Sequence, residues 1–392
     1  MSEIYDLIII GGGPAGLAAA IYAGRSQRQT LLIEKGGYGG RVKDTGEIRN
    51  YPGIPSDSGP GLMERFHSHA QSYPTVAFKR STVTDIHKDQ GIFTITTKRR
   101  GQFLAHSVIL AMGTRPRELG IPGEEALTGH GVAYCATCDA EFFQGKHVYV
   151  LGAGDQAVEE SDYLTKFADQ VTIVVIHEEG HLDCNEVSAR RTMENPKIDF
   201  VWNSTVQEIK GTDHVEALIL KNVTTGQITE VPADGLFFFV GMVPQTDLVK
   251  DLVDCDSHGY IKVNEKMETS LPGLYAVGDC TQTYLRQVVT SAADGAVAAT
   301  ASERYVRERL QLDSLLTDHS PDTAFIFYNP YLSSDIDTVT ALEKKLGDRW
   351  TVYRQDVSRQ DLLYRELKLT ETVTVAFYEK GQLTAVKSAA DC

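Results

Sequence analysis

The chain has 392 residues, 42% of them hydrophobic, and a formal net charge of -15 at pH 7. This length predicts about two or three domains, and the composition is typical of a globular protein with a large core. The acidic balance argues against a nucleic-acid partner or an anionic membrane surface, since both need positive potential. Six cysteines are too few for a disulfide-stapled secreted scaffold. No signal peptide or membrane-length apolar run is present, so we expect a cytoplasmic protein.

The chain begins with a strand, a glycine turn, a helix and a second strand, in the stretches YDLIII, GGGPAG, LAAAIYAGRSQ and TLLIEK. Gly11, Gly13 and Gly16 form the pattern G-x-G-x-x-G. The first glycine permits the turn, the second lets backbone approach a pyrophosphate, and the third packs helix on strand. Glu34 ends the next strand, where a carboxylate can accept hydrogen bonds from ribose hydroxyls. Together these features predict a dinucleotide site at the positive end of a helix dipole.

A second unit of the same kind begins at HVYVLGAGDQAVEESDYLTKFADQVTIVVI. Two such units predict two parallel-sheet domains of the dinucleotide-binding type. Between them, IFTITTKRR and HSVILAMGT predict added antiparallel strands and a return to the sheet. After the second unit, DGLFFFVG and GLYAVGDC predict buried strands, and SAADGAVAATASERYVRERL predicts a helix rich in small residues.

The tail from Thr317 predicts a small separate domain. TAFIFYNP reads as a strand, TVTALEKKLGD as a helix, RWTVYRQDV as a strand, QDLLYRELKL as a helix, and TVTVAFYEKGQLTAVK as a hairpin. The polar stretch LTDHSPD marks the boundary.

The stretch YCATCDAEFF supplies the chemistry. Cys135 and Cys138 can close a small disulfide ring of the kind found in dithiol oxidoreductases, and Asp139 can move a proton as a thiolate forms. A zinc half-site would need a second close pair, and the other cysteines are scattered, at Cys184, Cys255, Cys280 and Cys392. A structural disulfide or a pair of buried cysteines are further alternatives. The flanking nucleotide-type loops favour a redox function.

With these residues the chain resembles the low-molecular-weight thioredoxin reductase family. The resemblance extends from the first strand through the small-residue helix and rests on GGGPAG, IRNYPG, CATCD, GAGDQAVEE, DGLFFFVG and AVGDCTQTYLRQVVTSAADG. It implies an α/β fold with two Rossmann-like domains, the second inserted in the first. The FAD-binding domain would comprise residues 1–117 and 246–316, and residues 118–245 would form the second domain, which carries the CxxC. Residues 317–392 would add a small thioredoxin-like domain without a CxxC.

The resemblance also assigns site residues. Gly11, Gly13, Gly16 and Glu34 match contacts to the FAD pyrophosphate and ribose, Asn50 lies near the flavin, and Asp279 meets the ribityl chain. Arg286 through Val288 match the segment at the flavin edge. The full set expected at the FAD site is Gly11, Gly13, Pro14, Ala15, Gly16, Glu34, Lys35, Gly40, Asn50, Val83, Gly113, Asp279, Arg286, Gln287 and Val288.

Three catalytic roles follow from the same resemblance. Cys138 would face the flavin, Cys135 would attack the disulfide of a thioredoxin-like protein, and Asp139 would be the acid. The family also implies a homodimer and a rotation of one domain against the other, so that the pair meets flavin and partner in turn.

The second nucleotide site departs from the family. Gly152, Gly154 and Ala157 form an acceptable G-x-G-x-x-A turn, but VVIHEEGHLDC follows where the family carries arginines that grip the 2′-phosphate of NADPH. Charge-assisted contacts are worth about 1.5–3 kcal/mol each, so losing two costs about two to four decades in affinity. Nearby glutamates would repel the phosphate further. We therefore expect no efficient use of NADPH.

Three interpretations of this second site stay open. Glu178 could accept the ribose 2′-hydroxyl and favour NADH. The pocket could hold another adenine nucleotide, including a second flavin. It could also be vacant, with electrons arriving from a protein such as ferredoxin, although an acidic chain suits an acidic ferredoxin poorly.

We expect an FAD-dependent disulfide reductase, with a non-catalytic flavoprotein redox sensor or docking protein as the alternative. The loop NPYLSSD stands where a thioredoxin places its cysteine pair. The tail therefore cannot exchange dithiols there, and structural packing, partner docking or covering a site remain as its roles.

Overall fold

The computed structural model describes residues 4–45, 48–317, 320–359, 362–369 and 373–392. The first elements in chain order are β1 (Ile4–Ile10), α1 (Pro14–Arg25), β2 (Thr30–Glu34), α2 (Gly59–Gln71), β3 (Val76–Arg80), β4 (Val83–Asp89), β5 (Ile92–Thr97), β6 (Gly101–Leu110), β7 (Thr114–Pro116), α3 (Glu124–Leu127), β8 (Val132–Ala133), α4 (Ala136–Asp139) and β9 (His147–Leu151). They are followed by α5 (Asp155–Leu164), β10 (Gln170–Val174), α6 (Glu186–Met193), β11 (Ile198–Val201), β12 (Ser204–Lys210), β13 (Ala217–Asn222), β14 (Ile228–Pro232), β15 (Gly235–Phe238), β16 (Met242–Pro244), β17 (Leu274–Ala276) and α7 (Val288–Leu315). No helix within these described ranges has the length and apolar character needed to cross a membrane.

The first sheet has seven strands in the order β3-β2-β1-β6-β5-β4, with β17 also paired to β6. Strands β1, β2, β3, β6 and β17 are parallel, and β4 and β5 are antiparallel additions. Residues Leu7 to Ile10 are buried, as expected for a parallel strand covered on both faces. The added strands and the return through β6 match the sequence-based expectation.

The second sheet has five parallel strands in the order β11-β10-β9-β15-β8. A separate antiparallel sheet, β12-β13-β14, is formed by the strands that come between β11 and β15 in the chain. The chain passes from the first sheet to the second and back, and β7 and β16 pair antiparallel along these two crossings. The expected boundaries at residues 117/118 and 245/246 follow directly after these two strands. The α/β class with two nucleotide-binding-type sheets is confirmed.

The tail forms a third α/β unit. Its elements are β18 (Thr323–Tyr328), α8 (Ser333–Leu346), β19 (Thr351–Asp356), α9 (Leu362–Glu366), β20 (Thr374–Glu379) and β21 (Gln382–Ser388). The sheet order is β19-β18-β20-β21, with β18 and β19 parallel and the other pairs antiparallel. The βαβαββ order agrees with the prediction. The start of the predicted helix QDLLYRELKL, at residues 360–361, lies outside the described residues.

The long helix α7 joins the tail to the first sheet. It has 28 residues, which corresponds to about 42 Å at 1.5 Å per residue. Leu312 and Leu315, at its C-terminal end, pack against the tail's buried cluster of Phe325, Phe327, Leu363, Ala376 and Tyr378. The backbone N–H of Leu362 donates a 2.9 Å hydrogen bond to Glu308, which adds a polar contact near the same end. The tail is therefore fixed to the end of α7 that lies farthest from the glycine turn.

Candidate active site

The turn between β1 and α1 can be made only by glycine at its first position. Gly11 has φ +108°, and a Cβ atom there would lie 2.2 Å from the carbonyl oxygen of Ala111. A Cβ on Gly16 would lie 2.0 Å from the carbonyl oxygen of Gly11, so α1 packs directly on the turn. This packing presents the positive N-terminal end of α1 to the space above the strands.

Glu34 is held at the end of β2 by two backbone donors. Its carboxylate accepts hydrogen bonds of 2.6 Å from the N–H of Gly12 and of 2.6 Å from the N–H of Gly36. The next residue, Lys35, donates a 2.6 Å bond to the side chain of Gln245. An acid held in this way beside a glycine turn can accept ribose hydroxyls.

These groups border a cavity of about 1390 Å³. Every residue expected at the FAD site lines the cavity except Gly16, which lies beneath the turn. The lining also includes residues that the sequence did not single out, among them Arg41, Thr137, Glu160 and Gln245. Cavities that hold drug-sized ligands measure about 300–1,000 Å³, so this one is large enough for a dinucleotide.

The chemistry of the lining fits a flavin dinucleotide. The Nε atom of Arg286 is buried and has no hydrogen-bond partner among the described residues, and its guanidinium lies 4.2 Å from the ring centroid of Tyr260. Burial raises the pKa of Asp279, and the nearby Arg286 and Arg41 oppose that shift. The unpaired Arg286 Nε–H and the buried Asp279 carboxyl can therefore bind polar groups of a ligand in this cavity. Asn50 donates a 3.0 Å bond to Gln287 at the same edge.

Cys135 and Cys138 form a disulfide. Cys135 is the N-cap of α4, and its Sγ accepts a 3.2 Å hydrogen bond from the N–H of Cys138. Cys135 is half-buried and Cys138 is exposed. Thr137, between them, lines the cavity, although neither cysteine does. The structure thus places the redox helix at the rim of the nucleotide cavity.

Two carboxyl groups are associated with this disulfide: Asp139 is adjacent in sequence, and Asp44 is close in space. Asp139 follows Cys138 and is half-buried, and burial raises the pKa of its carboxyl group. Asp44, from the short 3₁₀ helix Gly40–Asp44, brings its carboxylate and both Sγ atoms within 4.8 Å of one another. Asp44 lies 91 residues before Cys135 in the chain, so no local motif could have revealed it.

The second glycine turn also begins with a glycine at positive φ, but here the segment that contains Asp183 is hydrogen-bonded to the turn. Gly152 has φ +146°, and a Cβ atom there would lie 2.4 Å from the carbonyl oxygen of Phe239. The N–H of Asp183 donates a 2.8 Å bond to the carbonyl of Ala153. Asp155, the first residue of α5, accepts bonds of 2.9 Å from both the N–H and the side chain of Asn185. The N-terminus of α5 therefore already carries a carboxylate.

The charges near this second turn are acidic. Glu178 is exposed, and Asp183 accepts a 2.7 Å contact from His177. None of the second-site residues named from the sequence, Gly152, Gly154, Ala157 and Glu178, lines the large cavity. The α5 residues that do line it include Asp155, Glu159 and Glu160. Burial, with the charge of Glu159, raises the pKa of Glu160 to about 7.

Comparison with known proteins supports a family assignment. Residues 5–295 match the pyridine nucleotide-disulphide oxidoreductase family. The chain is 43% identical to a thioredoxin reductase of Peptoclostridium acidaminophilum over 318 residues, covering 79% of this chain and 100% of that one. It is 41% identical to a thioredoxin reductase of Peptoclostridium litorale, covering 79% and 99%. The crystal structure of Lactococcus lactis thioredoxin reductase in its FR conformation matches with a TM-score of 0.75 at 40% identity, covering 78% and 99%.

These matches span nearly the whole length of each relative and leave about a fifth of this chain outside. The described geometry agrees with them, since a glycine turn with its acid, a large cavity and a disulfide helix meet at one place. The chain therefore belongs to the low-molecular-weight thioredoxin reductases, flavoenzymes of the thioredoxin-disulfide reductase type within the pyridine nucleotide-disulphide oxidoreductase family.

Proposed function

We propose that the protein passes electrons from FAD through the Cys135–Cys138 pair to the disulfide of a thioredoxin-like protein, and that NADPH is not an efficient donor. The observation that carries the proposal is the position of α4. Its residue Thr137 lines the same cavity as the glycine turn of β1 and α1. A two-cysteine helix at the rim of a nucleotide cavity can exchange electrons with the cofactor on one side and a protein on the other.

The residues around the first turn hold the cofactor. The N-terminus of α1 would bind the pyrophosphate and Glu34 the ribose, while Asp279 and Arg286 bring their buried polar groups to the rest of the molecule. Bound there and reduced by the electron donor, the flavin would supply the electron pair that opens the disulfide.

The dithiol then reduces the partner by two exchange steps. The Cys135 thiolate attacks one sulfur of the partner disulfide, forms a mixed disulfide and releases a partner thiolate. The Cys138 thiolate attacks Cys135 Sγ, which restores the ring and releases the second partner thiolate. The carboxyl of Asp139, with its raised pKa, supplies a proton to a sulfur that leaves.

The donor proposal rests on the second turn. A 2′-phosphate there would meet Glu178, Glu179 and Asp183, with no arginine among VVIHEEGHLDC. The carboxylate of Asp155 at the N-terminus of α5 opposes a pyrophosphate as well, because like charges repel. We therefore propose ferredoxin or NADH as the donor, and NADH use requires Glu178 to accept a ribose hydroxyl.

Anaerobic titration of the flavoprotein distinguishes the donors. NADPH, NADH and reduced ferredoxin are added separately while the flavin absorbance is followed. We expect slow or no bleaching by NADPH and rapid bleaching by one of the other two. Rapid bleaching by micromolar NADPH would contradict the donor proposal and leave the dithiol proposal standing.

A second candidate is a non-catalytic flavoprotein whose cysteine pair only changes conformation. It is favoured by the altered second turn and by the tail, which has NPYLSSD where a thioredoxin carries cysteines. Dithionite-reduced protein, mixed with oxidised thioredoxin, separates the two functions. A reductase yields reduced thioredoxin in a single turnover, whereas a sensor leaves it oxidised.

We also propose a homodimer, as the family resemblance implies. Tyr284 and Leu285 are exposed apolar residues directly before Arg286 at the cavity, and exposed apolar groups of this kind suit an interface. Light scattering on the purified protein measures the assembly, and a monomer at working concentration contradicts this proposal.

A further inference from the structure

The carboxylate of Asp44 forms a three-atom cluster with the redox pair. One of its oxygens and the Sγ atoms of Cys135 and Cys138 all lie within 4.8 Å of one another. Among the described residues, none forms a hydrogen bond or ion pair with this carboxylate. Asp44 belongs to the unit of the first sheet, whereas the cysteines belong to α4 beside the second sheet. The cluster therefore bridges the two units.

Thiolate and carboxylate are ligands that zinc accepts. Zn–S distances of about 2.3 Å and Zn–O distances of about 2.0 Å, in a tetrahedron, place two sulfurs about 3.8 Å apart and sulfur and oxygen about 3.5 Å apart. The two sulfurs are joined in the disulfide and must separate to this distance once the bond is reduced. The Asp44 carboxylate oxygen, already within 4.8 Å of both sulfurs, needs to approach by only about 1 Å. The N–H of Cys138, directed at Cys135 Sγ, also favours the thiolate.

We propose that the reduced pair, together with Asp44, forms a site for Zn²⁺ or a similar thiophilic divalent cation, with water as the fourth ligand. The closed disulfide offers no thiolates, so the site exists only after reduction. Binding releases the two thiol protons and transfers no electrons. The bound ion withholds both sulfurs from exchange and ties α4 to the unit that carries Asp44.

The inference needs a dithiol but does not depend on the electron donor or on thioredoxin. A water-soluble phosphine reduces the disulfide to two thiols and becomes a phosphine oxide, with water supplying the oxygen and the two protons. The phosphine is removed anaerobically before metal is added. Failure of metal binding is therefore distinct from failure of the proposed electron transfer.

Cobalt(II) provides a spectroscopic test on the full-length FAD-loaded protein. We expect one Co²⁺ per reduced chain with thiolate-to-cobalt charge-transfer absorption, displaced by Zn²⁺, and none of this absorption with oxidised protein. Bound Zn²⁺ should also protect both cysteines from iodoacetamide. Charge-transfer absorption with oxidised protein, or undiminished alkylation under Zn²⁺, would overturn the proposal.

Three variants test the role of Asp44. Asp44→Asn should weaken Zn²⁺ binding at least about tenfold, since even outer residues of metal sites contribute about 10–100-fold. Asp44→His removes the charge but restores a ligand, and should bind more tightly than Asp44→Asn. Glu141→Gln removes an exposed carboxylate near the pair in sequence that is outside the cluster, and should bind as the parent does.

The flavin spectrum of each variant reports whether it has folded. Equal affinity of Asp44→Asn and the parent would show that Asp44 is not a ligand. Equal loss in Glu141→Gln and Asp44→Asn would show a general charge effect instead of coordination. Either result overturns the proposal.

Discussion

The backbone N–H of Asp183 donates a 2.8 Å hydrogen bond to the carbonyl oxygen of Ala153. This bond lays an acidic segment across the second glycine turn, where the adenosine end of a nucleotide would lie. Two residues further on, the backbone N–H and the side-chain amide of Asn185 both donate to the carboxylate of Asp155. These bonds fix the Asp155 side chain at the N-terminus of α5. The second turn thus keeps its glycine geometry while an acidic segment is bonded to it.

Restoring positive charge at this segment should restore NADPH use. The variant Glu178→Arg/Glu179→Arg/Asp183→Arg is expected to bind NADPH about two to four decades more tightly, because it regains charge-assisted contacts of about 1.5–3 kcal/mol each. The neutral variant Glu178→Gln/Glu179→Gln/Asp183→Asn, which only removes repulsion, should gain less. Flavin bleaching by NADPH measures both, and equal gains would show that contacts are not what the site lacks.

Cys138 should be needed for electron transfer but not for FAD binding. Cys138→Ser is expected to retain FAD but to lose electron transfer from the flavin to the disulfide, since no ring can form. Stopped-flow absorbance of the reduced flavin after mixing with thioredoxin checks this. Thioredoxin reduction at the parental rate in this variant contradicts the assigned pathway.

Asp139 should impose a pH dependence. Burial raises the pKa of its carboxyl, so the protonated form persists to higher pH and thiol exchange should slow as pH rises through that pKa. Asp139→Asn should lower the rate by about 10²–10⁴-fold and remove this part of the pH profile. Single-turnover rates across the pH range measure it, with Glu141→Gln as the matched control.

Glu160 should make stability fall with rising pH. Its pKa is raised from 4.5 to about 7, so its stabilising contribution is complete below pH 4.5 and is lost as pH rises through 7. Glu160→Gln should therefore be more stable than the parent by about 1–3 kcal/mol at pH 8, after allowance for partial exposure. The difference should disappear near pH 4, and denaturant unfolding at both values tests it.

The sequence predicted the sheets well because their signals are local. Each glycine turn is followed by a helix and a buried strand, and the tail alternates strand and helix over short segments. The predicted helix at the C-terminal side of the first site is longer than expected, since α7 extends to Leu315. Its polar last turns carry little apolar periodicity, and packing of Leu312 and Leu315 on the tail keeps them helical.

Only those residues of the candidate site that belong to short sequence motifs could be predicted. The glycines, Glu34 and the CxxC follow short patterns, and the structure brings the residues expected at the FAD site, other than Gly16, to one cavity. Asp44 escaped because it lies 91 residues before Cys135 in the chain. Glu160 stands in the motif GAGDQAVEE, but its position on the wall of the first cavity is a tertiary contact that the motif does not encode. The covering of the second turn by Asp183 and Asn185 is likewise a tertiary contact, which the spacing of residues does not encode.

Helix α7 sets the distance between the cavity and the tail. It begins at Val288 on the cavity wall and ends at Leu315 against the tail, a span of about 42 Å. The tail is thus held at the far end of a long helix from the cavity wall, so a change in its packing on Leu312 and Leu315 acts on the cavity only through the length of α7.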